Sequence, residues 1–151
     1  AILMETGIDH SDICKKINDT ISEEKLYLIK KAIENMEVFY DGKLRYTYID
    51  YDTISSLGID DEDAEGMTNY LRSVRGTEVA VYVRGKENGE LKVSMRSNGL
   101  VDVSKAAIAF NGGGHKRAAG YTMNTKNSTY DAEKKKLLDY IGGCFKDDFA
   151  G

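Results

Sequence analysis

The sequence predicts a mixed α/β (α+β) fold, with a sheet of about five strands flanked by helices behind an N-terminal helical lead-in. Three observations predict it. Segments of helical and strand period alternate along the 151 residues. Two Asx-Gly pairs, Asp41-Gly42 and Asn88-Gly89, carry the strongest short hairpin signal. The run LRYTYIDY at 44–51 is dense in β-branched and aromatic residues, which favour strands.

Each element follows from local chemistry. Residues 8–19 read as a short helix with Ile8, Ile13 and Ile17 loosely periodic. A stronger helix is expected over 22–37, because Leu26, Ile29, Ile33 and Met36 recur at spacings of three and four and so share one face. Thr20 with Glu23 fits a capping box at its start. Strands over 37–40 and 44–51 flank the Asp41-Gly42 turn. A helix from Asp60 to about Val74 opens on acidic residues suited to the positive end of a helix dipole. Its apolar stripe is Ala64, Met67, Leu71 and Val74, and Glu65, Asn69 and Arg72 form a separate polar stripe. A hairpin follows, with Val79, Val81 and Val83 alternating in one arm. In the other arm, Leu91, Val93 and Met95 face away from Lys92, Ser94 and Arg96. Residues 104–110 make a short apolar helix capped by Asp102 or Ser104. Tyr121–Met123 reads as a last strand. A final helix is capped by Ser128 or Thr129, with Leu137, Leu138, Tyr140 and Ile141 apolar.

Composition narrows the function classes. Hydrophobic residues make up 41% and charged residues 30%, the balance of a folded soluble chain rather than a disordered one. No stretch approaches the roughly 20 apolar residues of a spanning helix, and the opening AILMETGIDHSD lacks the basic start of a signal peptide. Cys14 and Cys144 lack CxxC spacing and read as reduced cysteines of a cytoplasmic protein. The net charge of −4 argues against wholesale wrapping of nucleic acid, but it is an average of unlike segments. Asp50–Glu65 holds seven acidic residues and no basic one, whereas Arg84–Arg117 holds seven basic and three acidic.

The segment richest in chemistry is Asn111-Gly112-Gly113-Gly114-His115-Lys116-Arg117. Glycines let backbone N–H groups approach a ligand closely, and the basic residues that follow suit a phosphate. KRAAG could start a helical turn aimed at an anion, or the run could be a plain turn between elements. It is neither a P-loop nor a dinucleotide fingerprint. Arg96 with Ser97, at a strand end, offers a bidentate cation beside a hydroxyl. Asp9 and His10 look like a metal-binding pair but have no further ligands around them in sequence.

SMRSNGLVDVSKAAIAFNGGGHKRAAG resembles the C-terminal, DHH-associated substrate-binding domain of DHH phosphoesterases. EGMTNYLRSVRGTEVAVYV resembles the helix and strand that precede it there. The resemblance covers about 38–145, and 1–37 resemble the helices joining the family's two domains. Asn111 departs from the pattern, since family members often carry a fourth Gly at that place. The resemblance implies domain limits of 1–37 for a linker and 38–151 for the substrate-binding domain. It implies nucleotide or phosphate contacts from Arg96, Ser97, Gly112, Gly113, Gly114, His115 and Lys116, with Glu65, Asn69 and Arg72 in support.

In this family an N-terminal domain carries two metal ions, usually manganese. This chain has no Asp-His-His motif, so no catalytic or metal-ligating residue is expected in it. It is expected to be inactive alone and to act with its own N-terminal catalytic domain. The short members of the family cleave very short RNA oligomers and dephosphorylate 3′-phosphoadenosine 5′-phosphate. The expected ligands are therefore short single-stranded RNA or DNA, mononucleotides or phosphorylated adenosine nucleotides. Cyclic-dinucleotide phosphodiesterase, single-strand exonuclease and polyphosphatase-related activities remain alternatives, as does a stand-alone nucleotide-binding module.

Overall fold

A computed structural model describes residues 20–150, with side chains described to 146. The expected helix at 8–19 lies outside them, as do Asp9, His10 and Cys14. Six strands form one sheet in the order β1-β2-β3-β4-β6-β5. They are β1 (Glu37–Phe39), β2 (Leu44–Ile49), β3 (Val79–Gly85), β4 (Leu91–Ser97), β5 (Gly113–His115) and β6 (Ala118–Met123). β2 and β3 pair in parallel, and the other neighbours pair antiparallel. The helices are α1 (Glu23–Glu34), α2 (Tyr51–Ser56), α3 (Asp61–Ala64), α4 (Met67–Arg72), α5 (Val103–Ala109) and α6 (Tyr130–Ala150).

The pleat divides the chain into two cores. On one face Tyr46, Val81, Val93, Met95 and Tyr121 are buried beneath α5 and α6, which contribute Ala106, Leu137 and Ile141. On the other face Ile49 and Tyr82 are covered by Leu28, Ile29 and Ala32 of α1, Ala64 of α3 and Met67 of α4. This second cover lies over β2 and β3, and α4 also reaches β4. The parallel β2–β3 pair requires a crossover, and α2, α3 and α4 supply it.

Several local expectations are corrected. The cap of α1 is Ser22, whose hydroxyl accepts from Lys25 N at 3.1 Å, not Thr20. The buried side of α1 is Leu28, Ile29 and Ala32, while Leu26 and Ile33 are 56% and 55% exposed. The small Ala32 brings the helix close enough for the Thr47 hydroxyl to donate to its carbonyl at 2.8 Å, which decides the rotation. The strand expected over 44–51 stops at Ile49, because Asp50 caps α2 by accepting from Thr53 N at 2.7 Å. The single helix expected from Asp60 to Val74 is two short ones. Gly66, at φ 85°, breaks it, and Val74 is exposed.

The two turns follow their sequence signals. Lys43 N donates to Tyr40 O at 3.2 Å, and Tyr40, Asp41 and Gly42 are left-handed at φ 54°, 56° and 87°, so the chain reverses at the Asp41-Gly42 pair between Phe39 and Leu44. Asn88-Gly89 closes the β3–β4 hairpin. Asp102 caps α5 through Ser104 N, and Thr129 caps α6 through Ala132 N.

Candidate functional site: an open shelf on the sheet

The cover of α1, α3 and α4 reaches part of β4, where Lys92, Ser94 and Arg96 are half-buried, and stops short of β6 and β5, leaving their face open beside it. Cross-strand partners point to the same side of a sheet, so the pairing register lays out this surface in rows. One row contains Ala80, Arg96, Ala118 and His115. The next contains Tyr82, Ser94, Gly120 and Gly113. The third contains Arg84, Lys92 and Thr122. The floor between Arg96 and His115 is therefore made of small residues. α4 walls the β3 side, with Asn69 exposed and Arg72 half-buried. The edge strand β5 forms the opposite rim.

The glycine run forms a helix cap and the short strand β5, and KRAAG leads into strand β6 rather than a helical turn. α5 ends in a Schellman motif: Asn111 N donates to Ile108 O at 3.1 Å and Gly112 N to Ala107 O at 2.7 Å. Asn111 occupies the left-handed position of that motif at φ 68°. Asparagine tolerates this conformation better than most residues, so the departure from a fourth Gly leaves the cap intact. A Cβ on Gly112 would overlap Gly120 O and Tyr121 Cβ, and one on Gly114 would overlap Ala119 and Ala118 O. Gly113 alone of the three has open space around it.

Ser97 is fully buried. Its hydroxyl donates to Val101 O at 2.6 Å and accepts from Gly99 N at 3.0 Å. It shapes the loop after β4, and both roles of the hydroxyl are taken. The same loop is tied to the β5–β6 turn, with Ser97 N donating to Arg117 O and Val103 N to Lys116 O, each at 2.9 Å. Asn98 Nδ2 donates to Thr77 O at 2.6 Å and reaches Arg72 O at 3.4 Å. The C-terminal end of β4 thus gathers Arg72, Arg96, His115, Lys116 and Arg117. None of the ion pairs among the described residues involves these four Arg and Lys side chains.

The other end of the shelf is closed by charge pairing. Arg84, 2% exposed, donates to Asp61 at 2.6 Å and to Glu65 at 3.1 Å. Lys92 also donates to Glu65. Glu65 is therefore the C-cap of α3, bonded down to the sheet, and not part of a helical stripe with Asn69 and Arg72. The buried Arg84, which sequence reasoning missed, fastens the α3–α4 corner. A lone Arg within a β-rich run carried no signal until the register faced it toward two carboxylates.

The Lys92 ammonium holds the Glu65 carboxyl below its usual range of about 4.5, and the Arg84 guanidinium does the same for Asp61, ordinarily 3.8. A carboxylate with a depressed folded pKa stabilises the fold above its unfolded pKa and loses that contribution as pH falls through the folded value. Urea midpoints should thus decline as pH drops below about 4.5. Glu65→Gln should remove part of that decline, as equilibrium unfolding at pH 7 and pH 3.5 would measure. An identical decline in the variant would contradict the assignment.

Among the described residues no group of three or more His, Cys, Asp or Glu side chains is placed to hold a metal ion. No helix there is long and apolar enough to cross a membrane.

Comparison with known proteins assigns the chain to a family. The model of the DHHA1 domain matches residues 41–147. The chain belongs to the DHHA1 domain family. This DHHA1 domain is 36% identical over 81 residues to a bifunctional oligoribonuclease and PAP phosphatase NrnA of Thermus thermophilus, a match covering 54% of the chain and 24% of the relative. It is 28% identical over 78 residues to the NrnA protein of Mycoplasma genitalium, covering 52% and 22%. The matches thus span about a quarter of those relatives. Among solved structures, an exopolyphosphatase-related protein from Bacteroides fragilis superposes with a TM-score of 0.76 at 27% identity, over 94% of this chain and 42% of that one. A pGpG-specific phosphodiesterase from Vibrio cholerae shares the fold at a TM-score of 0.60 and 10% identity, over 80% and 40%.

Proposed function

We propose that this DHHA1 domain is the substrate-holding part of a DHH-family phosphoesterase acting on short oligonucleotides or phosphorylated nucleotides. The observation that carries the reading is the Arg96–Ala118–His115 row: two hydrogen-bond donors across a small-residue floor, beside cations that make no ion pair among the described residues. Arg96 donates its planar fork to phosphate oxygens. His115 donates from the opposite side. Gly113, Gly120 and Ser94 leave room for a sugar or base to lie against the strands, and Arg72 and Asn69 close over it from α4. The relatives named for oligoribonuclease and PAP phosphatase activity support this ligand class. The two metal ions of such an enzyme, manganese by family resemblance, would activate the attacking water and would be held by an N-terminal domain outside these residues. Lys116 and Arg117 add long-range attraction, so affinity should fall as salt rises.

Titration with adenosine 5′-monophosphate, followed by amide NMR, tests the reading. The signals of Arg96, Gly113 and His115 should move progressively at millimolar ligand. If they stay fixed while other regions shift, the shelf is not the site.

A further inference from the structure

A second concavity lies around the end of the sheet from the shelf. It has a volume of about 440 Å3, and its walls include Leu100, Asp102, Lys105, Lys116 and Tyr140. The β5–β6 turn joins the two places. His115 belongs to the shelf row, and the next residue, Lys116, lines the cavity. Lys105, on α5, is the second cation of this cavity. Neither lysine takes part in an ion pair among the described residues.

The apolar walls are open. Leu100 is 57% and Tyr140 36% exposed. An aromatic ring and an aliphatic side chain beside two ammonium groups suit a base with an attached phosphate. Asp102 looks unfavourable for an anion, yet its charge is partly engaged. Its Oδ1 accepts from Ser104 N at 3.0 Å and from Ser104 Oγ at 2.5 Å. A carboxylate has about four acceptor positions, so Asp102 can also accept from a ribose hydroxyl, a bond that carboxylates make in other nucleotide sites.

We propose that this cavity holds the second nucleotide of a short oligoribonucleotide whose first nucleotide lies on the shelf. The strand passes over the His115–Arg117 turn. Its phosphate lies between Lys105 and Lys116, its base against Tyr140 and Leu100, and a ribose hydroxyl on Asp102. The inference rests on the reading of the shelf as a nucleotide site.

The two readings separate in one experiment, an NMR titration with adenosine 5′-monophosphate, the dinucleotide pApA and its deoxy counterpart. The mononucleotide should move Arg96 and His115 only, and pApA should also move Leu100, Lys105 and Tyr140. Lys105→Ala, at an exposed site, should weaken pApA about three- to tenfold and leave the mononucleotide unchanged. The deoxy dinucleotide should bind more weakly than pApA, and Asp102→Asn, which preserves the helix cap, should narrow that gap. If pApA moves the shelf but not the cavity, or the mononucleotide moves both, the second subsite is refuted and the shelf stands. An equal loss for both ligands in Lys105→Ala refutes the second subsite as well. If no ligand moves the shelf, both readings fall.

Discussion

Gly112→Ala should cost the protein about 3 kcal/mol or more, whereas Gly113→Ala should leave stability within about 1 kcal/mol. The two glycines are neighbours of identical composition, so only their surroundings differ. Gly112 serves two elements at once. Its N–H completes the Schellman cap of α5 on Ala107 O, and its Cα lies against the backbone of β6 at Gly120 and Tyr121. The obstruction is carbonyl oxygen and main chain, which cannot swing aside. Tyr121 is itself stacked on Phe110 at 5.0 Å between ring centroids, so a displaced Tyr121 would disturb the C-terminal end of α5. Gly113 meets nothing within 4 Å, and its φ is not in the left-handed range. Its added methyl would project onto the shelf floor, beside Gly120 and Ser94. Urea unfolding of the two variants, with nucleotide titration of Gly113→Ala, checks both halves. Equal destabilisation would show that the run is a uniform flexible loop after all.

Arg96→Ala should weaken nucleotide binding about 10- to 100-fold, the loss of a charge-assisted contact worth roughly 1.5–3 kcal/mol. Stability should change little. The guanidinium makes no ion pair among the described residues, and its one intramolecular bond, to Met95 O, is long at 3.4 Å. Arg96→Lys should recover only part of the affinity, because a point charge cannot reproduce a planar fork. Calorimetric titration with adenosine 5′-monophosphate measures the affinities, and urea unfolding measures the stability. An unchanged affinity in Arg96→Ala would return the residue to the ordinary protein surface.

Much of the sheet was legible before any coordinates. The I′ signal at Asp41-Gly42, the Asn88-Gly89 turn and the alternation in β3 and β4 depend on neighbours in sequence, and each formed where expected. The orientation of β4 was legible for the same reason: a period of two leaves Arg96 only one side once Met95 is buried. Helices were harder. In α1 the apolar residues outnumber what one face can bury. Leu26, Ile29 and Ile33 make a good stripe on paper, but Ala32 and the Thr47 hydroxyl chose a different rotation. The break at Gly66 was hidden because an isolated Gly is tolerated in helices. β5 was missed because three glycines carry no strand propensity, and their pairing with β6 is a long-range effect.

The candidate site divides in the same way. The strand-end Arg and the Gly-His-Lys run single out Arg96, Gly113, His115 and Lys116, the residues on which the proposed site rests. Ser97 and Gly112 were found too, but the structure gives their polar groups intramolecular partners. What residue types and short spacings determined was the alternation of helix and strand, the hairpins, the side of the sheet that Arg96 takes and the basic stretch on which the proposed site rests. All of these depend on backbone preference and on contacts within a few residues. Only the tertiary structure decided which helix face was buried, that Arg84 would anchor Glu65 and Asp61, and that two of three adjacent glycines would be required by packing. Those outcomes depend on which distant backbone or carboxylate arrives at a given side chain, and no local pattern encodes that arrival.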